Sequence, residues 1–113
     1  VKLAFGSNWT VALFKPPLGL NAAVTRATPE GKNPEVWFPE QKICLLEAME
    51  AFITGSPYAE FRETKKGSLT PGKLADIVIL NSGFCSIHAE MLKDASVRYT
   101  ITAGKIVFAV RPD

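Results

Sequence analysis

Gly67-Ser68-Leu69-Thr70-Pro71-Gly72-Lys73-Leu74-Ala75-Asp76-Ile77-Val78-Ile79-Leu80 passes from turn chemistry into a β-branched run. Pro71-Gly72 suits the centre of a type II turn, where glycine supplies the positive φ of the second position. Ile77-Val78-Ile79-Leu80 predicts a buried strand, with Asp76 ahead of it anchoring the turn after Gly72. Downstream, Val97, Tyr99 and Ile101 alternate with Arg98 and Thr100, and Ile106-Val107-Phe108 follow Ala103-Gly104. That pattern predicts a hairpin, although Asn or Asp suits such a turn better than Ala.

Upstream the period changes. Leu45, Ala48, Met49, Phe52 and Ile53 recur at helical spacing. Cys44-x-x-Glu47 takes the place of a capping box, with sulfur as a weak acceptor where a hydroxyl is usual. Gly55-Ser56-Pro57 predicts the end of this helix, and Tyr58 to Arg62 a further short one. Glu47 and Glu50 share a helix face and are read as facing water. Pro16-Pro17 ahead of Leu18, Leu20, Ala22, Ala23, Val24 and Ala27 predicts a helix with proline in its first turn. Residues 28–39 hold three prolines, a glycine and an asparagine and read as an irregular loop, with Trp37 and Phe38 as a plug on the body of the protein. Residues 2–5 form an apolar run that stops at Gly6-Ser7-Asn8, as a buried strand entering a polar loop does. Strand, helices, then strands give an α+β class in one domain, 1–113.

The chain has 113 residues, 47% of them hydrophobic, which fits a globular domain and not a disordered one. Its net charge of +2 and its lack of a clustered basic face argue against a nucleic-acid partner. Arg62, Lys65 and Lys66 read as a solvated helix end. No apolar run approaches the roughly 18–20 residues needed to cross a bilayer. Cys44 and Cys85 form no CxxC pair, so reduced, buried thiols and a cytoplasmic location are expected. The absence of an initiating Met suggests a processed chain or a fragment.

Three stretches resemble amidohydrolase family 3, the YtcJ-like metal-dependent hydrolases. The first is Leu3-Ala4-Phe5-Gly6-Ser7-Asn8-Trp9 with Ala22-Ala23-Val24-Thr25-Arg26. The second runs from Asn33-Pro34 through Trp37-Phe38-Pro39-Glu40-Gln41-Lys42-Ile43 into the helix with Glu47-Ala48. The third is Lys66 to Leu80. The last is shared by many amidohydrolases, and the first two narrow the resemblance to this branch.

The resemblance implies a fold. Residues 1–62 would be a remnant of the last strand and helices of a (β/α)8 barrel, and residues 63–113 short antiparallel strands of the amidohydrolase β-sandwich. It implies a site as well. In such enzymes a Gly-Ser-Asp-x-Pro segment closes the eighth barrel strand, at the end where active sites of that fold lie. Its Asp contacts a metal, zinc or another divalent ion, and takes a proton from the attacking water. The parent reaction is hydrolysis of a non-peptide C–N bond.

This sequence departs from that pattern. Position 8 is Asn, which cannot act as a carboxylate base. Thr10 stands where Pro is common, and Lys15 where an Asp often caps the next helix. The histidine ligands of earlier strands have no counterpart, since the single histidine, His88, lies in the C-terminal part. Asn8 is therefore the catalytic position without its function, Ser7 and Trp9 are candidate binding neighbours, and no metal ligand and no cofactor is expected in this chain.

Plainer readings stand beside these. Asn8 suits a loop that satisfies its own backbone, and Asn8-Trp9-Thr10 matches a glycosylation acceptor by chance. His88 beside Glu90 reads as a surface or capping histidine, because one His cannot hold zinc. Ser7, His88 and Asp76 have no spacing that supports a triad, and no nucleophile elbow surrounds Ser7.

A barrel strand cut off from its neighbours exposes edges and apolar faces, which favours association. A homo-oligomer, with or without exchanged strands, is expected. The functional expectation is an amidohydrolase-related fragment inert on its own. The rivals are a stand-alone binding or oligomerisation module, and one half of a hydrolase complemented by a separate chain.

Overall fold

The computed structural model describes residues 1–33, 35–83 and 87–111. Pro34, residues 84–86 (Cys85 among them) and residues 112–113 fall outside that set. The class is α+β: three helices, then a three-stranded antiparallel sheet in the order β1-β2-β3.

Helix α1, Pro16–Thr25, starts at its two prolines with Lys15 as N-cap and no side-chain cap bond. The Lys15 ammonium donates instead to the Lys93 carbonyl at 2.8 Å. The helix stops where Arg26 turns left-handed, its amide donating to the Ala22 carbonyl. Leu20 and Asn21 are buried, and the Asn21 amide donates to the Ala89 carbonyl at 2.8 Å. This ties α1 to a 3-10 helix, Ala89–Asp94, whose Leu92 is fully buried.

Helix α2, Leu45–Glu50, carries the cap that the sequence foreshadows. The Glu47 amide donates to Cys44 Sγ at 3.5 Å, and the Cys44 amide to Glu47 Oε2 at 2.8 Å. The first of these bonds holds the Cys44 thiol at the surface, so that cysteine is exposed and not a buried filler. Glu47 and Glu50 face water as anticipated.

Pro57 does not end this helix. The rod continues through a π-helical turn, Ala51–Gly55, into α3, Ser56–Ala59, with right-handed helical backbone at Glu50, Gly55 and Ser56. A proline inside an α-helix loses its N–H bond and crowds the carbonyl four residues back. A wider turn with i→i+5 bonding relieves both. The added residue also shifts the helix phase. Ala48, Ala51, Gly55 and Pro57 are buried, while Ile53, read as a core position, is 50% exposed.

Residues 2–5 are not a strand. They run beside the π-turn, with the Phe5 amide donating to the Ala51 carbonyl at 3.1 Å. Ser56 Oγ donates to the Phe5 carbonyl at 2.7 Å. A strand needs strand neighbours for its alternate backbone groups, and the described residues provide none here; Leu3 is 43% exposed. Gly55 is the point of closest approach, where a Cβ would collide with the Leu3 carbonyl. Phe5 meets Phe52 edge-on at 5.4 Å between ring centres.

The sheet follows its sequence signals more closely. Strand β1 is Ile77–Leu80, β2 Val97–Thr102 and β3 Lys105–Ala109. Ile77 pairs with Ile101 and Ile79 with Tyr99, while Ile101 pairs with Ile106 and Thr100 with Phe108. Gly72 has φ 90°, and the Lys73 amide closes its turn on the Thr70 carbonyl. The hairpin turn has φ 49° at Ala103 and 78° at Gly104, the signs of a type I′ turn. Asp76 anchors this distant turn and not the nearer one, its Oδ1 accepting the Ala103 amide at 2.9 Å. Nor is β1 a buried strand, because Val78 is 56% exposed.

The core is small. Its buried apolar residues among those described are Leu20, Ala48, Ala51, Leu92 and Ala95. Trp37 and Phe38 do not plug into it; their rings lie 5.7 Å apart and both are exposed. Among the described residues, no helix is long and apolar enough to cross a membrane.

Candidate functional site

The loop that follows Phe5 holds the three candidate residues. Its entry is fixed by the Ala51 and Ser56 bonds to the Phe5 backbone. Beyond it, Ser7 is half-buried, while Asn8 and Trp9 are exposed. Asn8 has φ 47° and its carbonyl accepts the Val11 amide at 2.8 Å. Asparagine is enriched at left-handed positions of this kind, so a turn alone accounts for an Asn here. Trp9 meets Phe14 edge-on at 6.3 Å between ring centres, within a run where Val11, Leu13 and Phe14 are also exposed.

The donor set of this loop does not fit a zinc site. Ser7, Asn8 and Trp9 provide a hydroxyl, an amide and an indole, whereas zinc takes thiolate, imidazole and carboxylate. Among the described residues, no group of three or more His, Cys, Asp or Glu side chains could hold a metal ion. His88 is exposed and occupies the N-cap of the Ala89–Asp94 turn without a side-chain cap bond. The structure therefore brings Ser7, Asn8 and Trp9 together as chain neighbours, and among the described residues no hydrogen bond or ion pair joins His88 or Asp76 to them.

A carboxyl with a displaced pKa lies away from this loop, at Glu47. The Cys44 backbone amide, helped by the thiol, holds the Glu47 carboxyl below the usual glutamate range. This is the signature of a helix cap and not of a proton-transfer group.

Sequence reasoning missed a second constellation. Arg26 accepts the Trp37 amide at 3.2 Å on its carbonyl, donates from Nε to the Trp37 carbonyl at 3.0 Å, and accepts Asn33 Nδ2 at 3.1 Å. Asn33 Oδ1 in turn accepts the Thr28 amide at 2.6 Å. Three residues of two separate sequence stretches thus fold the 28–38 loop back on the end of α1. Their signal was present as Arg26, Asn33 and Trp37 in the motif stretches, but nothing in their spacing showed that they meet. Beside this loop lies an open groove of about 570 Å³ lined by Asn21, Thr25, Glu30, Lys42, Glu90 and Lys93 among others. Another, of about 400 Å³, lies at Lys2, Glu47 and Glu50. Ser7, Asn8 and Trp9 line neither.

The chain is 38% identical over 108 residues to Protein LONG AFTER FAR-RED 3 of Arabidopsis thaliana, covering 94% of this chain and 18% of that protein. It is 25% identical over 105 residues to YtcJ of Bacillus subtilis (strain 168), named as an amidohydrolase, covering 93% of this chain and 20% of that protein. It thus spans about a fifth of the length of either relative. No solved structure gives a significant match. The model of the amidohydrolase family matches residues 1–108, so the chain belongs to the amidohydrolase family.

Proposed function

We propose that residues 1–113 correspond to the C-terminal end of a metal-dependent amidohydrolase, a class that hydrolyses non-peptide C–N bonds, and that this chain is inert on its own. In this reading residues 2–5 stand where the last strand of a barrel would be. Their backbone rests on the π-turn because the neighbouring strands belong to sequence outside this chain. Residues 77–109 stand where the sandwich strands would be.

The observation that supports inertness is the chemistry at Asn8. A hydrolase of this class needs a carboxylate there to take a proton from water, and an amide cannot do so. A second deficit compounds it, since one histidine cannot make up the ligands of a catalytic zinc site. A half-enzyme awaiting a complementing chain would meet the same deficit at Asn8.

Zinc titration by calorimetry, with metal analysis after dialysis, tests the reading. Substoichiometric zinc is the expected result. One firmly held zinc per chain would overturn it.

A further inference from the structure

Residues of α1, of the 28–38 loop and of the Ala89–Asp94 turn line the groove of about 570 Å³. At its floor is Asn21, only 4% exposed. The Asn21 Nδ2 is committed to the Ala89 carbonyl at 2.8 Å, which turns Oδ1 the other way. Among the described residues Oδ1 accepts no hydrogen bond, yet no buried side-chain oxygen or nitrogen is left without a partner. Oδ1 is therefore the part of Asn21 that reaches solvent, in the groove that Asn21 lines. Polar groups this far from bulk water ordinarily hold a partner, so the floor of the groove presents an acceptor open to an N–H donor.

The rim is charged. Glu30 and Lys42 come from one stretch of chain, and Glu90 and Lys93 from the Ala89–Asp94 turn. Each side thus offers one carboxylate and one ammonium. Among the described residues, Glu30, Lys42 and Glu90 form no ion pair with one another or with any other side chain. Lys93 donates to the Pro29 carbonyl at 3.0 Å, which ties the turn to the loop. An ammonium has three donors, so two remain for another acceptor. Val24 and Val36, both half-buried, supply apolar lining.

We propose that this groove binds a zwitterion of dipeptide size. Its ammonium donates to Asn21 Oδ1 and the carboxylates of Glu30 and Glu90. Its carboxylate accepts from Lys42 and Lys93, and a short apolar side chain lies against Val24 and Val36. The four rim charges sum to zero, so a simple anion or cation would meet two like charges there, and a ligand carrying both signs avoids this. The volume lies within the roughly 300–1,000 Å³ that holds ligands larger than one amino acid. Every group named belongs to residues 21–42 or 89–93, so the site draws on nothing outside this chain. It does not rest on the hydrolase reading.

Titration of the isotope-labelled wild-type chain with L-alanyl-L-valine, followed through its amide NMR shifts, tests the proposal. Saturable shifts centred on Thr28, Gly31 and Glu90 are expected, with a dissociation constant below about 5 mM. N-acetyl-alanyl-valine and alanyl-valine amide each lack one charge and are expected to bind at least about fivefold more weakly. Glu30→Gln combined with Glu90→Gln is expected to reduce the preference for the free amine. Lys42→Gln is expected to reduce the preference for the free carboxylate. All three positions are exposed. A constant above about 5 mM, capped peptides that bind as well as the free one, preferences unchanged in the variants, or shifts centred on Lys2 and Glu50 would each overturn the proposal. The capped peptides probe the unaltered protein, so a variant that misfolds does not protect the proposal from failure.

Discussion

The Ser56 hydroxyl donates to the Phe5 carbonyl at 2.7 Å, joining residues 51 positions apart. It also reaches the Ala51 carbonyl at 3.3 Å, the group that accepts the Phe5 amide. One hydroxyl thus links the π-turn to the segment leading into Ser7 and Asn8. Ser56→Ala is expected to lower stability by about 1 kcal/mol, the net value of a hydrogen bond of this kind. Gly55→Ala is expected to cost more, about 1–3 kcal/mol, because its Cβ meets the Leu3 backbone, which cannot rotate aside. Urea unfolding followed by circular dichroism measures both, and a larger loss for Ser56→Ala than for Gly55→Ala would contradict the account.

At the start of α2 the acceptor is sulfur at 3.5 Å. Cys44→Ser replaces it with a better acceptor and is expected to raise stability by about 0.5 kcal/mol, read as a higher melting temperature. If Cys44→Ala melts as high as Cys44→Ser, the thiol cap is not the reason.

The same cap sets a pH dependence. Glu47 is held below the usual glutamate range, first by the Cys44 amide and then by the thiol. A carboxyl depressed in the folded state contributes stability above its unfolded value, near pH 4.3, and loses it as pH falls through the folded value. Melting curves between pH 6 and pH 3 are expected to decline more steeply for wild type than for Glu47→Gln. Parallel declines would remove Glu47 from the explanation.

The hairpin turn places an alanine at φ 49°, where a Cβ costs roughly 1–2 kcal/mol. Ala103→Asn is expected to recover about 0.5–1 kcal/mol of this, as Asn-Gly is the favoured type I′ pair. Asp76→Ala removes the acceptor of the Ala103 amide, an exposed bond, and is expected to cost about 0.5–1 kcal/mol. Thermal melts of the two variants should move in opposite directions.

Asn8→Asp restores the carboxylate without the ligands. The variant is expected to take up no stoichiometric zinc in dialysis followed by metal analysis, since the loop around it carries no imidazole. Uptake of one zinc per chain would mean that residues beyond this loop complete a site.

How much of this was legible depends on whether the deciding partner was local. Pro16-Pro17 marked the start of α1, and the alternation from Val97 to Ile101 marked β2, because those signals act on the backbone within a few residues. Pro57 misled, since the π-turn that tolerates it depends on packing against residues 3–5. Residues 2–5 read as a strand on apolarity alone, but a strand is defined by its neighbours. Trp37 and Phe38 were placed in the core on size, while Arg26 and Asn33 hold their loop at the surface. The chemical departure at Asn8 was visible in the sequence; its left-handed backbone, which makes asparagine suitable for a turn, was not.

The chain has two tryptophans, Trp9 at 63% and Trp37 at 70% exposure. Both indoles are thus already wet in the folded protein. Their emission will sit near that of free indole in water, and unfolding will scarcely move it. Intrinsic fluorescence is therefore nearly blind to the loss of this fold, yet well placed to register anything that settles on the two aromatic loops.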